Sequence, residues 1–95
     1  MSFCVRITST ARKELTRLPA NRRYQLLKGL KRLEEDPASD GDTIKGIVQD
    51  PEGRLRRLRI GHYRIFFEVE GDEVYVLRCV HRQTLEKVIR RLIQR

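Results

Sequence analysis

The sequence of 95 residues has no long hydrophobic run. No apolar stretch approaches the roughly 20 residues of a transmembrane helix, so we expect neither an integral membrane protein nor a membrane partner. The first residues have no extended apolar stretch behind a basic start, so we expect no signal peptide and a cytoplasmic location. A chain of this length is expected to form one small domain, residues 1–95, with a simple core.

Cysteine is also scarce, with Cys4 and Cys79 far apart in the sequence. Both lie in apolar surroundings, and they lack the spacing of metal ligands. Disulfides are rare in a reducing cytoplasm, so we expect both residues to be buried free thiols. We expect no metal ion and no cofactor.

Lysine is scarce relative to arginine in a chain of strongly positive charge. There are 21 Lys and Arg residues, of which sixteen are arginine and five are lysine, against 13 Asp and Glu, and the formal net charge is +8. This charge indicates a polyanionic partner such as nucleic acid, the ribosome or an acidic protein. Arginine binds phosphate or carboxylate through two parallel hydrogen bonds, which lysine cannot do. A genome rich in G and C would produce the same bias, so both explanations stay open.

The first third of the chain is predicted to form a strand and a helical hairpin. Residues 2–7 alternate as a strand, and the next apolar stripe predicts a short helix that Pro19 ends. Asn21 is the expected N-cap of a second helix, which runs to about Glu35. The link between the helices is short, so they should lie antiparallel. Gly29 inside the second helix predicts a close crossing with the first.

The remainder is predicted to form one long loop, three strands and a helix. Residues 36–53 hold two of the three prolines and three of the six glycines, which is typical of a loop. Strands are expected over residues 54–60, 63–69 and 73–80, with two-residue turns between them, and a third helix near Thr84. The order β-α-α-β-β-β-α predicts an α+β fold: a small, mainly antiparallel four-stranded sheet with a helical hairpin packed on one face.

The register of the first hairpin places arginines on one face of the sheet. A two-residue turn at Gly61 and His62 puts Arg59 directly opposite Arg64, with Arg57 on the same face, while the other face is almost wholly apolar. Like charges opposite each other destabilise a sheet, so the functional interpretation is an anion bound between them. The alternative is a solvated face on which the arginine stems cover apolar surface and Glu68, further along the same face, neutralises part of the charge.

The face assignment of the last strand stays open. A two-residue turn at residues 71–72 puts His81 on the arginine face, and one bulged residue would put Arg78 and Arg82 there instead. The alternation of side chains therefore does not decide whether His81 or Arg82 lies on the same face as the arginines. His62 is expected to be an exposed turn residue.

Three segments, in the same order, carry a family resemblance. They are T-x-x-A-x-K-x-L-x-x-L-P starting at Thr8, a second helix that ends at Asp36-Pro37, and RLRIGHYRIFFEVEGDEVYVLRCVHR over residues 57–82. The last segment contains an R-x-R-x-G-x-Y-R hairpin and a terminal HR. Over roughly residues 2–86 the chain resembles the RelE/ParE-type toxins of bacterial and archaeal toxin–antitoxin modules.

The resemblance implies a compact β/α toxin that a largely acidic or amphipathic antitoxin neutralises by wrapping around it. The favoured RelE-like branch implies a metal-independent endoribonuclease that cuts mRNA in the ribosomal A site, with mRNA, ribosomal RNA and a RelB-like antitoxin as partners. ParE-like members poison DNA gyrase instead. A third alternative is a non-toxic module that meets operator DNA as part of an antitoxin complex. The last helix packs on the core, exchanges with an antitoxin helix, or pairs in a dimer.

The resemblance also assigns roles to individual residues. Arg64 matches the catalytic arginine of the Y-R pair, and Arg82 matches the catalytic arginine of the terminal pair. Arg57 falls where RelE-type enzymes carry a lysine on the catalytic face. The RNA-binding candidates are Arg56, Arg59 and Arg78.

Two positions depart from the pattern of the family nucleases. Leu55 replaces a usual lysine, and Glu86 stands where a tyrosine is usual. Glu86 is either a base or a first-turn residue that complements the helix dipole. His81 is the preferred candidate base, because histidine titrates closest to neutral pH. The missing tyrosine leaves a rearranged nuclease, a slow nuclease and a ParE-like protein without nuclease activity as open outcomes.

Overall fold

Five strands and three helices follow one another along residues 2–94, the part of the chain that the computed structural model describes. In chain order they are β1 (Cys4–Ile7), α1 (Ser9–Thr16), α2 (Ala20–Glu35), β2 (Ile44–Gly46), β3 (Arg56–Ile60), β4 (Tyr63–Glu70), β5 (Glu73–His81) and α3 (Leu85–Ile93). A single 3-10 turn, Arg82–Thr84, joins β5 to α3. The predicted α+β class and the order of the long elements are confirmed. None of these helices has the length and apolarity needed to cross a membrane.

The sheet has five strands in the order β1-β5-β4-β3-β2, so the prediction of four strands was wrong by one. β1 runs parallel to β5, and the other neighbours are antiparallel. The additional strand, β2, lies within the predicted loop. Its three residues are too few for an alternating pattern, and a local polar contact fixes its start: the Asp40 carboxylate accepts a hydrogen bond from the backbone N–H of Ile44 at 3.0 Å.

Both two-residue turns are confirmed, and a bulge in β5 decides the open question of parity. Ile60 pairs with Tyr63 and Arg59 pairs with Arg64, as predicted. Between β4 and β5 the register shifts at Phe66 and Phe67, which leaves Leu77 as an extra residue in β5. The side chains of β5 that follow the bulge therefore lie on the opposite face of the sheet from the one that the turn alone predicts.

The main core lies between the sheet and the α1–α2 hairpin. Leu26, Leu30 and Leu33 of α2 are buried there against the apolar face of β3 and β4. The reason for Gly29 differs from the prediction: a side chain at this position would collide with Ile60 of β3, so the close approach is between α2 and the sheet, and not between the two helices.

The start of α2 also differs from the prediction. The helix begins at Ala20, after Pro19, and no side chain caps it, so Asn21 is not the N-cap. Proline explains the early start, because its fixed backbone angle and missing N–H are compatible with a position just at the beginning of a helix. The Asn21 side chain instead accepts a hydrogen bond from the backbone N–H of Arg22 at 2.9 Å.

A second, smaller core lies on the opposite face, beneath α3. Val88 and Ile89 of α3 are buried there against Leu55, Phe66 and, at its margin, Val80. The last helix therefore packs on the core, which was one of the three alternatives. The helical hairpin occupies one face of the sheet as predicted, and a third helix covers part of the other.

The two cysteines lie in different environments, and the expectation that both are buried was wrong for Cys4. Both are free thiols, but Cys4 is exposed because it faces outward on the edge strand β1. Cys79 is buried, and this burial, together with the nearby Glu14 carboxylate, raises the pKa of its thiol to about 12.

Candidate nucleic-acid interface

Four arginines come together at the end of the sheet that carries the Gly61 turn. Arg57 and Arg59 lie on β3, Arg64 lies on β4 directly opposite Arg59, and Arg82 follows the end of β5. The backbone N–H of Arg82 donates a hydrogen bond of 2.7 Å to the carbonyl of His62 in the turn. This bond holds the start of the 3-10 turn against the β3–β4 hairpin. We refer to Arg57, Arg59, Arg64 and Arg82 as the arginine cluster.

Arg64 lies at the electrostatic centre of the arginine cluster. Burial lowers the pKa of its guanidinium, and the positive charges of Arg57, Arg59 and Arg82 lower it further. Its Nη1 donates hydrogen bonds to the carbonyls of Gly61 at 2.9 Å and of Tyr63 at 2.8 Å. The turn therefore holds the guanidinium in place although its neighbours repel it, and a bound anion would relieve this repulsion.

The other members of the cluster are incompletely neutralised. Nη1 of Arg57 is buried and has no hydrogen-bond partner in the described part of the chain. Arg59 forms an ion pair with Asp42 at 3.2 Å, but both side chains are largely exposed, so solvent screens this contact. A buried donor without a partner is unfavourable, and an anionic ligand at this position would satisfy it.

Arg82, and not His81, belongs to the arginine cluster. His81 pairs with Tyr63, and their rings meet edge to face with centroids 5.4 Å apart, on the side of the main core. Nδ1 of His81 accepts a hydrogen bond from the backbone N–H of Gln83 at 3.2 Å, so the imidazole caps the 3-10 turn. His62 is exposed in the turn, as expected, with its ring centroid 5.9 Å from that of His81.

Three further residues that the sequence singled out lie away from the arginine cluster. Arg78 forms a half-buried ion pair with Glu14 of α1 at 2.9 Å. Arg56 lies at the edge of the opposite face, where its Nη1 donates to the carbonyl of Pro37 at 3.0 Å. Glu86 is exposed in the first turn of α3 and is not among the groups that shift the pKa of Arg64.

Leu55 shows why the family's usual lysine is absent at this position. Its side chain is buried in the second core, beneath α3. A lysine here would bring a charge into an apolar contact, which is costly without a partner. The position therefore belongs to the part of this face that α3 covers.

Sequence reasoning missed two acidic residues that organise this region. Glu14 and Asp42 bind Arg78 and Arg59, across 64 and 17 residues of sequence respectively. Ion pairs between such distant residues leave no periodic signal in the sequence. Among residues 2–94, no group of three or more His, Cys, Asp or Glu side chains is arranged to hold a metal ion.

The fold is similar to that of several solved toxin structures. The toxin–antitoxin complex RelBE2 from Mycobacterium tuberculosis matches with a TM-score of 0.73 and 24% identity, covering 85% of this chain and 99% of the other. The archaeal RelE–RelB complex from Pyrococcus horikoshii matches with a TM-score of 0.71 and 24% identity, covering 86% and 97%. A free mutant of the E. coli toxin RelE matches with a TM-score of 0.71 and 21% identity, covering 96% and 98%. At these identities the likeness establishes a RelE-like fold.

The sequence itself defines the family. Residues 5–86 match the family described as the ParE toxin of the type II toxin–antitoxin system parDE. Because this match spans most of the chain, the protein belongs to that family, within the RelE/ParE toxin superfamily that the sequence motifs indicated. No curated protein sequence matches the chain.

Proposed function

We propose that this protein is a toxin that arrests translation in the cytoplasm as a metal-independent, ribosome-dependent mRNA endoribonuclease. The observation that carries the proposal is the arginine cluster, in which like charges converge and one buried guanidinium nitrogen, Nη1 of Arg57, has no hydrogen-bond partner among residues 2–94. Such an arrangement is unfavourable for folding alone and favourable once a polyanion is bound. Its natural ligand in this proposal is the RNA backbone.

The proposed chemistry uses the ribose 2′-OH of the substrate as the nucleophile. Its oxygen attacks the adjacent phosphorus, the bond from phosphorus to the 5′-oxygen breaks, and the products are a 2′,3′-cyclic phosphate and a free 5′-OH. Negative charge develops on the phosphorane oxygens, and guanidinium groups stabilise it by bidentate hydrogen bonds. We assign this role to Arg64, Arg82 and Arg57, and contact with the neighbouring backbone to Arg59.

The arginine cluster contributes electrostatic stabilisation and not proton transfer. His81 caps a turn on the other side of the strand, and Glu86 does not contribute to the cluster. We therefore assign the proton of the 2′-OH to solvent, and the leaving 5′-oxygen takes its proton from solvent as well, which predicts a slow nuclease whose rate rises with pH. General acid–base catalysis by a side chain would otherwise contribute about 10²–10⁴-fold.

Induction of the protein followed by primer extension on cellular mRNA tests the proposal. We expect growth arrest with cleaved transcripts, and a loss of cleavage of about 10²–10³-fold in Arg64→Ala and in Arg82→Ala, which is typical of removing one donor to a developing oxyanion. Arg56→Ala is the matched control, because it removes an arginine from the same sheet outside the cluster. Intact mRNA during growth arrest would overturn the nuclease proposal.

A second candidate function is inhibition of DNA gyrase without nuclease activity. The observation that favours it is the match of residues 5–86 to the ParE toxin family. In this case induction would block supercoiling of a reporter plasmid and leave mRNA intact. The same two arginine variants would then relieve the block in supercoiling.

We further propose a RelB-type antitoxin as the protein partner. Three of the structural matches are complexes of RelE-type toxins with RelB-type antitoxins, and the net charge of +8 suits an acidic protein. Co-expression with the product of an adjacent small acidic gene should restore growth. The pair should also co-purify as a complex, and we expect this complex to bind operator DNA in a gel-shift assay.

A further inference from the structure

Arg82 is held in the arginine cluster in a different way from Arg64. Nη1 of Arg64 donates to two carbonyls of the turn, so its guanidinium group is itself fixed. Arg82 follows the last paired residue of β5, and its side chain forms no ion pair with an acidic side chain among residues 2–94. Its place in the cluster therefore depends on the backbone of the 3-10 turn that begins at Arg82.

His81 is the N-cap residue of this turn. Its backbone is extended, with φ −73° and ψ 146°, and its Nδ1 accepts a hydrogen bond from the backbone N–H of Gln83 at 3.2 Å. Oγ1 of Thr84 donates to the carbonyl of His81 at 3.0 Å. The third contact is the bond of 2.7 Å from the Arg82 N–H to the carbonyl of His62. Two of the three hydrogen bonds that hold the turn therefore involve His81.

A histidine cap differs from the usual caps because protonation removes its acceptor. A neutral imidazole has one acceptor nitrogen, which in His81 is Nδ1, so the ring proton lies on Nε2. In the imidazolium both nitrogens are donors, and Nδ1–H would then face the N–H of Gln83. Histidine is the side chain that ordinarily changes charge between about pH 5 and pH 8. The cap is therefore present when the ring is neutral and is lost on acidification.

The surroundings of His81 give a protonated ring no new partner. The one carboxylate among the described residues that line the groove beside His81 is Glu14, and it is already bonded to Arg78 and to the N–H of Cys79. The charged and titratable groups of this groove on α1 and α3 are Glu14, Arg17, Lys87 and Arg91. Those on the strands and the β3–β4 turn are Tyr63, Arg78, Cys79 and His62. Protonation therefore adds a cation among cations and breaks the cap.

We propose that His81 is a positioning residue whose neutral imidazole fixes the turn that places Arg82 in the arginine cluster, so that acidification releases Arg82 and weakens RNA binding. The proposal rests on the function proposed above, because it takes RNA as the ligand of Arg82, and it adds a condition that controls this site. The imidazole neither contacts the substrate nor transfers a proton. An added positive charge alone would strengthen the binding of a polyanion. The sign of the pH effect therefore separates loss of the cap from gain of charge.

Fluorescence anisotropy with an RNA that cannot be cleaved tests the proposal on the full chain. The probe is a labelled oligouridylate with 2′-O-methyl riboses, which have no free 2′-OH to act as nucleophile. The reference protein carries His62→Asn, so that His81 is its single histidine, and the backbone carbonyl at residue 62 is kept. At constant salt, we expect binding to weaken about fivefold between about pH 8 and about pH 5, which corresponds to the loss of one cap.

His81→Asn and His81→Ala, each made in this reference protein, are the matched pair of variants. Both remove the ring contact with Tyr63, and only asparagine keeps an acceptor at the cap, which it does at either pH. We expect His81→Asn to bind like the reference at the higher pH and not to weaken at the lower one. His81→Ala should bind about fivefold more weakly at both. Tighter binding of the reference on acidification, or the same behaviour in both variants, would overturn the proposal.

NMR without RNA locates the pH effect. We expect the ring nitrogen shifts of His81 to place the proton on Nε2 at the higher pH, and the backbone amide of Gln83 to shift as the ring titrates. In His81→Asn this amide should not respond, and a Gln83 amide that is insensitive to pH in the reference protein would overturn the proposal. Intact mRNA in cells together with the expected pH response would refute the nuclease function alone. Cleaved mRNA without that response would refute this inference alone.

Discussion

The two faces of the β3–β4–β5 sheet are built from alternate residues of the same strands, yet their side chains make different kinds of contact. The face under the α1–α2 hairpin is closed by apolar contacts, with Leu58, Ile65 and Phe67 almost completely buried. The opposite face is divided between a small core beneath α3 and the arginine cluster. The first face contains what folding requires, whereas the second contains charge that folding alone disfavours. Along a single strand, therefore, alternate residues stabilise the fold on one face and form the candidate site on the other.

The largest expected effect is on the closed face. Phe67→Ala should reduce the free energy of unfolding by about 3–5 kcal/mol, because it removes a fully buried ring and leaves a cavity. Urea unfolding followed by circular dichroism measures this loss. Leu27→Ala, at a half-exposed position of α2, is the control and should change stability by no more than about 0.5 kcal/mol. A similar loss in both variants would contradict the assignment of the core.

The edge between the two faces should show an intermediate effect. Glu14→Gln leaves Arg78 without its anionic partner in a contact where each side chain is about one-fifth exposed. We expect a loss of about 2 kcal/mol, between the values for exposed and for buried ion pairs. Chemical unfolding measures it. Glu34→Gln, an exposed carboxylate of α2, should have almost no effect, and a loss below that of this control would exclude a structural role for Glu14.

On the arginine face, a substitution should increase stability while it reduces function. Arg57→Met removes a like charge and an Nη1 that has no hydrogen-bond partner within the described chain, so we expect a gain of about 1 kcal/mol in the free energy of unfolding together with weaker RNA binding. Arg56→Met on the opposite face is the matched variant. It loses the hydrogen bond to Pro37 and should destabilise by about 1 kcal/mol. Destabilisation by both substitutions would remove the distinction between the two faces.

The smallest effect on stability is expected at Asp40, whose carboxylate fixes the start of the edge strand β2. Hydrogen bonds from the backbone N–H groups of Asp42 and Ile44 lower the pKa of its carboxyl from 3.8 to about 2. Its folded pKa lies below its unfolded value, so its contribution to stability is complete above about pH 4 and is lost as the pH falls towards 2. Unfolding curves of Asp40→Asn and the parent protein should therefore differ at neutral pH and converge near pH 2. A constant difference would contradict this role.

Much of the fold was predictable because its determinants are local. A two-residue turn at Gly61 fixes the register of the β3–β4 hairpin, and that register places Arg59 opposite Arg64. The turn at Gly71 fixes the register of β4 and β5 only as far as the bulge. Other features were not predictable. The three residues of β2 are too short for a periodic signal, and the bulge at Leu77 has no distinct composition.

The candidate site was predictable to the same extent. Arg57, Arg59 and Arg64 follow from the alternation of a single hairpin, and they do lie together. The choice between His81 and Arg82 depended on the bulge, because every side chain that follows it in β5 lies on the other face of the sheet. Arg78 could not be excluded from the cluster by its sequence, because its partner Glu14 lies on a distant helix.

The sequence by itself therefore determined the long elements, the register of the β3–β4 hairpin, the family and an excess of arginine on one sheet face. These properties depend on the period of side chains along a strand or helix and on the residues of tight turns. Only the tertiary structure decided that Arg82 joins the other arginines, that Arg78 pairs with Glu14 and which face α3 covers. Such properties depend on long-range packing and ion pairing, which bring together residues whose separation in the sequence carries no signal.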